Sequence, residues 1–302
     1  NSVFCGKEVS NIYQLPMFFH NEKLDEIILN KLNLKNNETN LLKWINIINK
    51  NTSKITIIIG IVGKYINLCD SYKSLSESLY HSGIQNNVKI KIKYINSEKV
   101  NYFNFNILKN IDAVLIPGGF GKRGINGKIA ASYYARKNNI PFFGICLGLQ
   151  ISIIEVCRNI GGFTEANSTE INKFTNYPII TLIKKWILKN KINKNISIKM
   201  RLGNHTCFLE KNTKIYNIYK SKIINERHRH KYEVNNSLIP ILEKLGIKVS
   251  GWSKNFNLVE TIEIPNYYWY ICCQFHPEFN SNPHKGHPIF NDFIFHSLKN
   301  KK

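Results

Sequence analysis

One cysteine stands at the apex of a strand, turn and helix signature. Residues 141–145 are apolar, Gly144-Ile145-Cys146-Leu147-Gly148 forms a glycine-flanked turn, and an amphipathic segment follows over 150–159. This is the pattern of a nucleophile elbow with cysteine in place of serine. The flanking glycines permit a strained turn and a close approach of strand to helix. The sulfur would stand at a helix N-terminus, where backbone N–H groups and the dipole favour a thiolate. A buried cysteine can equally be a small core residue, so the chemistry requires a base. Cys273-Gln274-Phe275-His276-Pro277-Glu278-Phe279 supplies one. A thiol nucleophile needs a base to take its proton and a third group to orient that base. His276 and Glu278 sit at the exit of an apolar strand, and Pro277 stiffens the exit. Pro117-Gly118-Gly119-Phe120-Gly121 ends a further apolar run and could present backbone N–H groups as an oxyanion hole.

These loops need an α/β scaffold, and the pattern from residue 55 supplies it. The near-continuous apolar run over 55–63 predicts a central parallel strand; it lacks the spacing of a phosphate-binding P-loop. A helix capped by Ser71 is expected over 71–81, and a strand nearer an edge over 88–95, where apolar residues alternate with lysine. A buried strand over 111–116 delivers the Gly118-Gly119 turn, a helix follows over 128–137, and the strand over 141–145 enters the elbow. Reactive loops at the carboxyl ends of successive strands match the rule for open α/β sheets. Beyond residue 160 strands predominate, over 179–182, 206–209, 247–252, 259–264 and 268–275. Helices are expected over 240–244 and 289–298, and a loop over 184–199. Residues 1–52 differ: two helical patterns, 24–34 and 41–48, are separated by Asn-rich breaks and lack a core of their own, and 49–54 reads as a linker. The reading is an open, mostly parallel α/β sheet with flanking helices over 53–302, preceded by a short helical segment over 1–52.

Composition narrows the function classes. A hydrophobic content of 43% is ample for a core, and no apolar run is long enough to span a bilayer. The chain does not begin with Met and carries no signal peptide, as expected of a fragment or a processed piece. Seven cysteines without C-x-x-C pairing speak against a disulfide framework and a zinc site, and for the reducing cytoplasm. The net charge of +22 invites a nucleic-acid reading. Yet Arg occurs only at 123, 136, 158, 201, 227 and 229, and the lysines are scattered among Asn and Ile. A solvated basic surface fits this dispersal better than a nucleic-acid site.

Gly-Ile-Cys-Leu-Gly-Leu-Gln, Pro-Gly-Gly-Phe-Gly and Phe-His-Pro-Glu-Phe, in this spacing, resemble the class I (triad) glutamine amidotransferases. Ala166-Asn167-Ser168-Thr169-Glu170, Met200-Arg201-Leu202-Gly203, Glu226-Arg227-His228-Arg229-His230-Lys231-Tyr232-Glu233-Val234-Asn235 and Gly286-His287-Pro288 narrow the resemblance to the CTP synthase family. The resemblance covers about residues 55 to 290. It implies a Cys146, His276, Glu278 triad and an oxyanion hole from the N–H groups of Gly119 and Leu147. It also implies a glutamine pocket of Gly119, Phe120, Leu147, Gly148, Leu149, Gln150, Glu170 and Lys231, with Glu170 on the α-ammonium. Arg123 and Gly124 fall in a region linked in the family to GTP activation. No metal or cofactor is expected in this chain; ATP and magnesium, with UTP, belong to a synthetase domain. Residues 1–52 would be the tail of that domain and the connection out of it. The synthetase domain, in the same longer chain or a separate one, is the expected partner and the expected route to a homo-oligomer. Three departures stand out: Lys231 where the family usually has Arg, Asn126 in place of a common acidic residue, and Ser197-Ile198-Lys199 in place of two glycines. Lys keeps the charge of Arg but loses its planar fork. Rival readings are another triad glutamine amidotransferase such as one serving GMP synthesis, a catalytically eroded assembly subunit, and a basic nucleic-acid-binding module.

Overall fold

The computed structural model describes residues 3–35, 38–50, 53–183, 200–254 and 257–301. Its frame is a nine-stranded sheet. β1 (Thr56–Gly63), β2 (Lys89–Asn96), β3 (Ala113–Ile116), β4 (Phe142–Ile145) and β12 (Tyr270–Cys273) form its parallel half, in the order β2-β1-β3-β4-β12. The sheet continues antiparallel through β11 (Val259–Glu263), β10 (Lys248–Ser253), β7 (Arg201–Leu209) and β8 (Ile223–His230). A small second sheet joins β5 (Asn167–Ser168), β6 (Pro178–Leu182) and β9 (Tyr232–Val234).

The inner parallel strands β1, β3, β4 and β12 are almost continuously apolar because both faces are covered. Val62, Val114, Ile116 and Phe142 face α5 (Ile125–Lys137) and α6 (Leu147–Asn159). Ile57, Ile59, Ile61, Leu115, Phe143 and Ile145 face α4 (Lys73–Gln85) and the closing helix over Pro288–Lys299. Covered parallel sheets carry continuous rather than alternating apolar runs. β2, at the sheet edge, keeps the alternation of lysines outward that its sequence showed.

Several elements differ from expectation. Ser71 does not cap α4. A 3-10 turn (Cys69–Tyr72) precedes the helix, and Tyr72 at its N-cap turns its hydroxyl to accept the N–H groups of Lys64 and Tyr65 at 3.1 and 3.2 Å. α5 begins at Ile125 rather than 128, entered through Gly124 at φ +73°. β8, β9 and a short helix over Lys214–Tyr219 went unforeseen, as did a helix over Leu15–Asn21 that starts with Pro16 in its first turn. The loop expected over 184–199 lies outside the described residues, as do 51 and 52 of the expected linker.

The N-terminal segment finds its missing core against α4 and the turn after Glu278. Its helices span Leu15–Asn21, Leu24–Lys31 and Leu42–Lys50. The Tyr13 hydroxyl donates to Glu77 at 3.0 Å, the Trp44 ring meets His284 edge-on at 4.7 Å, and Ile47 is buried. Replacing the half-buried Trp44 removes aromatic contact worth about 2 kcal/mol locally. Trp44→Ala is therefore expected to raise amide hydrogen exchange across residues 12–50 while leaving the central sheet strands protected.

Candidate active site

β4 delivers Cys146 into a backbone conformation that side chains rarely adopt, φ 52° and ψ −99°. The turn is held from both sides. Cys146 N–H donates to the Cys273 carbonyl at 2.7 Å, and the Cys146 carbonyl accepts from Leu149 and Gln150. A Cβ on Gly148 would run into the Ile116 carbonyl, so only glycine lets α6 sit this close to β3. The sulfur is buried at the N-terminus of α6. The N–H groups of Leu147 and Gly148 are among those an α-helix leaves without an intrahelical partner.

His276 follows β12, next to β4 in the sheet, and its N–H donates to the Arg227 carbonyl of β8 at 2.7 Å. Nδ1–H donates to Glu278 Oε1 at 2.7 Å, which fixes the ring and leaves buried Nε2 for the Cys146 sulfur. Burial, the largest single influence, pulls the His276 pKa down. The negative charges of the Cys146 sulfur and Glu278 together outweigh it and push the pKa up to about 11. The imidazole is thus held charged through the neutral range. Gly118 covers this pair: a Cβ there would fall 2.6 Å from His276 Cε1 and 3.5 Å from Cys146 Cβ.

Gly119 lies beside Leu147, whose Cδ2 is 3.5 Å from the place a Gly119 Cβ would take. Phe120 is 38% exposed under the Arg229 guanidinium, and its carbonyl accepts from the Lys64 ammonium. Glu170 Oε1 accepts the Gly121 N–H at 2.9 Å and presses on the Tyr232 phenol, whose pKa is raised by burial and by this carboxylate. Gln150 points inward: its Nε2 donates to the Tyr232 carbonyl at 3.1 Å and to Gln274 Oε1 at 3.3 Å. Leu149 faces the apolar core, so any ligand contact it makes is through backbone. Lys231, between β8 and β9, gives its carbonyl to the Ile183 N–H at 3.2 Å. Arg123 pairs with Glu98 at 3.1 Å and lies over the Tyr65 ring, and Gly124 starts α5, so both stand at the far end of the loop that carries Gly119. A cavity of about 420 Å³ opens in front of His276, Gly118, Gly119 and Phe120, walled by Tyr65 and Phe279.

Sequence reasoning assigned no role to Gln274 or Arg201, and took Arg227, His228, Arg229 and His230 only as a structural and substrate-pocket segment. Gln274 Nε2 donates to the Cys146 sulfur at 3.5 Å; its place in the His276 motif was the available signal. Behind the triad, Arg201 pairs with Glu260 at 2.5 Å and Glu233 at 3.4 Å. His230 lies 3.2 Å from Glu233, and His228 bonds His230 at 3.1 Å and lies 3.6 Å from Glu260. Burial and then Arg201 push both imidazoles far below the ordinary histidine range, leaving them neutral. Burial raises both carboxylates, against the pull of Arg201. This network sets the register of β8, whose Arg227 carbonyl holds His276 and whose Arg229 carbonyl lies 4.0 Å from the Cys146 sulfur. The alternation of His228 and His230 in the sequence was its trace.

Residues 67–295 match the family profile described as Glutamine amidotransferase class-I. A CTP synthase of Buchnera aphidicola subsp. Acyrthosiphon pisum (strain Tuc7) is 48% identical over 311 aligned positions, which take in 100% of this chain and 57% of that protein. Another, from Buchnera aphidicola subsp. Schizaphis graminum (strain Sg), is 49% identical over 312 positions, 100% of this chain and 56% of that protein. The chain thus spans a little over half the length of the curated relatives it matches. Among solved structures, a Trypanosoma brucei CTPS glutaminase domain with bound acivicin aligns with a TM-score of 0.73 at 34% identity, covering 82% of this chain and 95% of that one.

Two outcomes follow from the geometry. Glu278→Gln removes one of the anions that keep His276 charged, so its pKa should fall in a histidine NMR titration, and turnover should drop on the order of 10²-fold. The raised His276 pKa stabilises the fold fully below the ordinary 6.5, and that contribution is lost as pH rises towards about 11. Arg201→Met leaves two buried carboxylates without their cation, which should cost about 3–5 kcal/mol. Thermal unfolding by circular dichroism should show a midpoint lowered by about 10 °C.

Proposed function

The chain belongs to the class-I glutamine amidotransferase family, as a glutaminase domain of the CTP synthase kind, and from that footing we propose that Cys146, His276 and Glu278 hydrolyse L-glutamine to supply ammonia for making CTP from UTP. The observation that carries this reading is the pairing of a positive-φ cysteine with a histidine that is bonded on Nδ1 to Glu278 and lies beside the Cys146 sulfur. The Cys146 sulfur attacks the side-chain amide carbon, and the carbonyl electron pair moves to oxygen, where the N–H groups of Leu147 and Gly119 receive it. His276, held charged, gives its Nε2 proton to the departing nitrogen, leaving a thioester and ammonia. Water, deprotonated by His276, then releases glutamate and restores the thiol. Glu278 keeps Nδ1–H oriented throughout.

Glutamine must be held at its amino-acid end for the attack to be effectively intramolecular. Glu170 takes the α-ammonium, with Phe120 and Lys231 at the pocket rim and the first turn of α6 (Leu147, Gly148, Leu149, Gln150) lining it through backbone. Gln150, spent on Tyr232 and Gln274, acts by positioning. Residues 1–52 are the tail of a synthetase domain and its connection; 53–302 form the glutamine amidotransferase domain. The synthetase domain binds UTP, ATP and magnesium, forms the homo-oligomer and works in the cytoplasm. GTP acts through the region of Arg123 and Gly124. The coverage of little more than half of the CTP synthase relatives supports this division. Among the described residues, no helix is long and apolar enough to cross a membrane.

The test joins the chain to its synthetase portion. With UTP, ATP and magnesium, glutamine should yield glutamate and CTP, and Cys146→Ala should lower glutamate release by about 10⁴-fold or more while CTP still forms from added ammonia. Undiminished glutamate release by Cys146→Ala would overturn the thiol mechanism.

A further inference from the structure

One cation beside the oxyanion hole has no anion. Lys128, in the first turns of α5, is 1% exposed, and among the described residues its ammonium has neither a hydrogen bond nor an ion pair. Among the described residues, the two buried arginines are paired: Arg136 with Glu155 and Arg201 with Glu233 and Glu260. An unpaired buried ammonium is costly to keep, and proteins rarely keep one without a use for it. Its place is specific. Nζ lies 3.8 Å from where a Gly119 Cβ would sit, on the turn that also neighbours Leu147. Burial, and then the nearby Lys64, lower its pKa to about 7, and the influence in the opposite direction is the sulfur of Cys146. Lys64 is itself committed to the Phe120 carbonyl.

We propose that Lys128 is a positioning residue for the hydrolysis, its ammonium acting across the Gly119 backbone on the negative charge that passes from the Cys146 sulfur to the substrate oxygen. This rests on the reading of Cys146 as the nucleophile of glutamine. In its charged form, which predominates below about pH 7, Lys128 keeps its proton throughout the step. As the sulfur lone pair forms the C–S bond, the carbonyl π pair becomes the oxyanion, and the net charge near the Gly118-Gly119 turn stays negative. A fixed cation in a water-poor site stabilises that charge without having to reorganise. The N-terminus of α6 contributes in the same sense. An ammonium serving only to hold the turn together would be expected to donate to its carbonyls, and Lys128 does not.

The test uses Lys128→Met in the enzyme complete with its synthetase portion. Methionine fills a similar volume and removes the unpaired charge, so the variant should fold at least as well. Expected are a kcat for glutamate release lowered about tenfold with KM for glutamine little changed, and a similar loss of affinity for glutamate γ-semialdehyde. That aldehyde adds the Cys146 thiol and so builds a tetrahedral oxygen centre in the oxyanion hole. Glutamate, which forms no such adduct, should bind as before. Unchanged kcat and aldehyde affinity would overturn the proposal, as would an equal loss of glutamate and aldehyde binding, which marks a pocket-shaping role. A wild-type enzyme that releases no glutamate, or a Cys146→Ala variant that does, would instead bring down the nucleophile reading and this inference with it.

Discussion

The active arrangement depends on β4 and β12 being parallel neighbours in register, with Ile145 opposite Cys273. Strands that are parallel and adjacent end at the same edge of the sheet, so whatever follows them is brought together there. Cys146 follows one and His276 comes shortly after the other. The bond from Cys146 N–H to the Cys273 carbonyl closes this junction at the point where the chain turns into α6. The strained φ of Cys146 persists because the surroundings over-determine it: a strand bond on one side, the first turn of a helix on the other, and β3 backbone against Gly148 beneath. β3, next to β4 on its other side, brings Gly118 and Gly119 to the same edge.

Three histidines near this edge are all buried, yet they differ in charge for a local reason. His276 faces two anions, the sulfur and Glu278, and is held protonated. His228 and His230 lie beside Arg201, and that cation adds to burial in keeping them neutral. The Arg201 network is polar on the inward face of a strand where apolar residues are usual. Buried ion pairs are poor contributors to stability against an apolar substitute of the same shape. Here the network fixes β8 to β7 and β11, and β8 in turn offers its Arg227 and Arg229 carbonyls to the triad. Polarity inside the strand and precision at the sulfur are thus linked through one backbone.

The sequence made the elbow, the Gly118-Gly119 turn and the central strands of the parallel half legible, because a strand buried on both faces cannot avoid being apolar along its length. The bend at Gly144-Ile145-Cys146-Leu147-Gly148 was equally readable, since only glycine allows such contacts. β8 was not readable by the same rule: Glu226, His228 and His230 point inward, and the usual apolar alternation is written in polar residues. Ser71 looked like a cap by residue type, but the hydroxyl of Tyr72 was already claimed by the backbone of Lys64 and Tyr65, which made the chain enter α4 one turn differently. Lys128 was hidden by composition. Among 42 basic residues a single lysine gives no sign of burial until the packing of α5 places it.

The same holds for the N-terminal segment, whose amphipathic helices announced the need for a partner without naming it. The partner is α4, and α4 is not a neutral surface. On adjacent residues it meets both neighbours: Glu77 accepts from Tyr13 of the N-terminal segment, while Ser78 Oγ shares its proton between the Ser74 carbonyl at 2.8 Å and the backbone carbonyl of Glu278 at 3.2 Å. Gln85 holds the carbonyls of Pro283 and His284 at the other end of the helix, and His284 meets Trp44. A rigid helix cannot shift one of these contacts without moving the others. The segment that precedes the sheet and the turn that carries Glu278 are therefore packed against one and the same element.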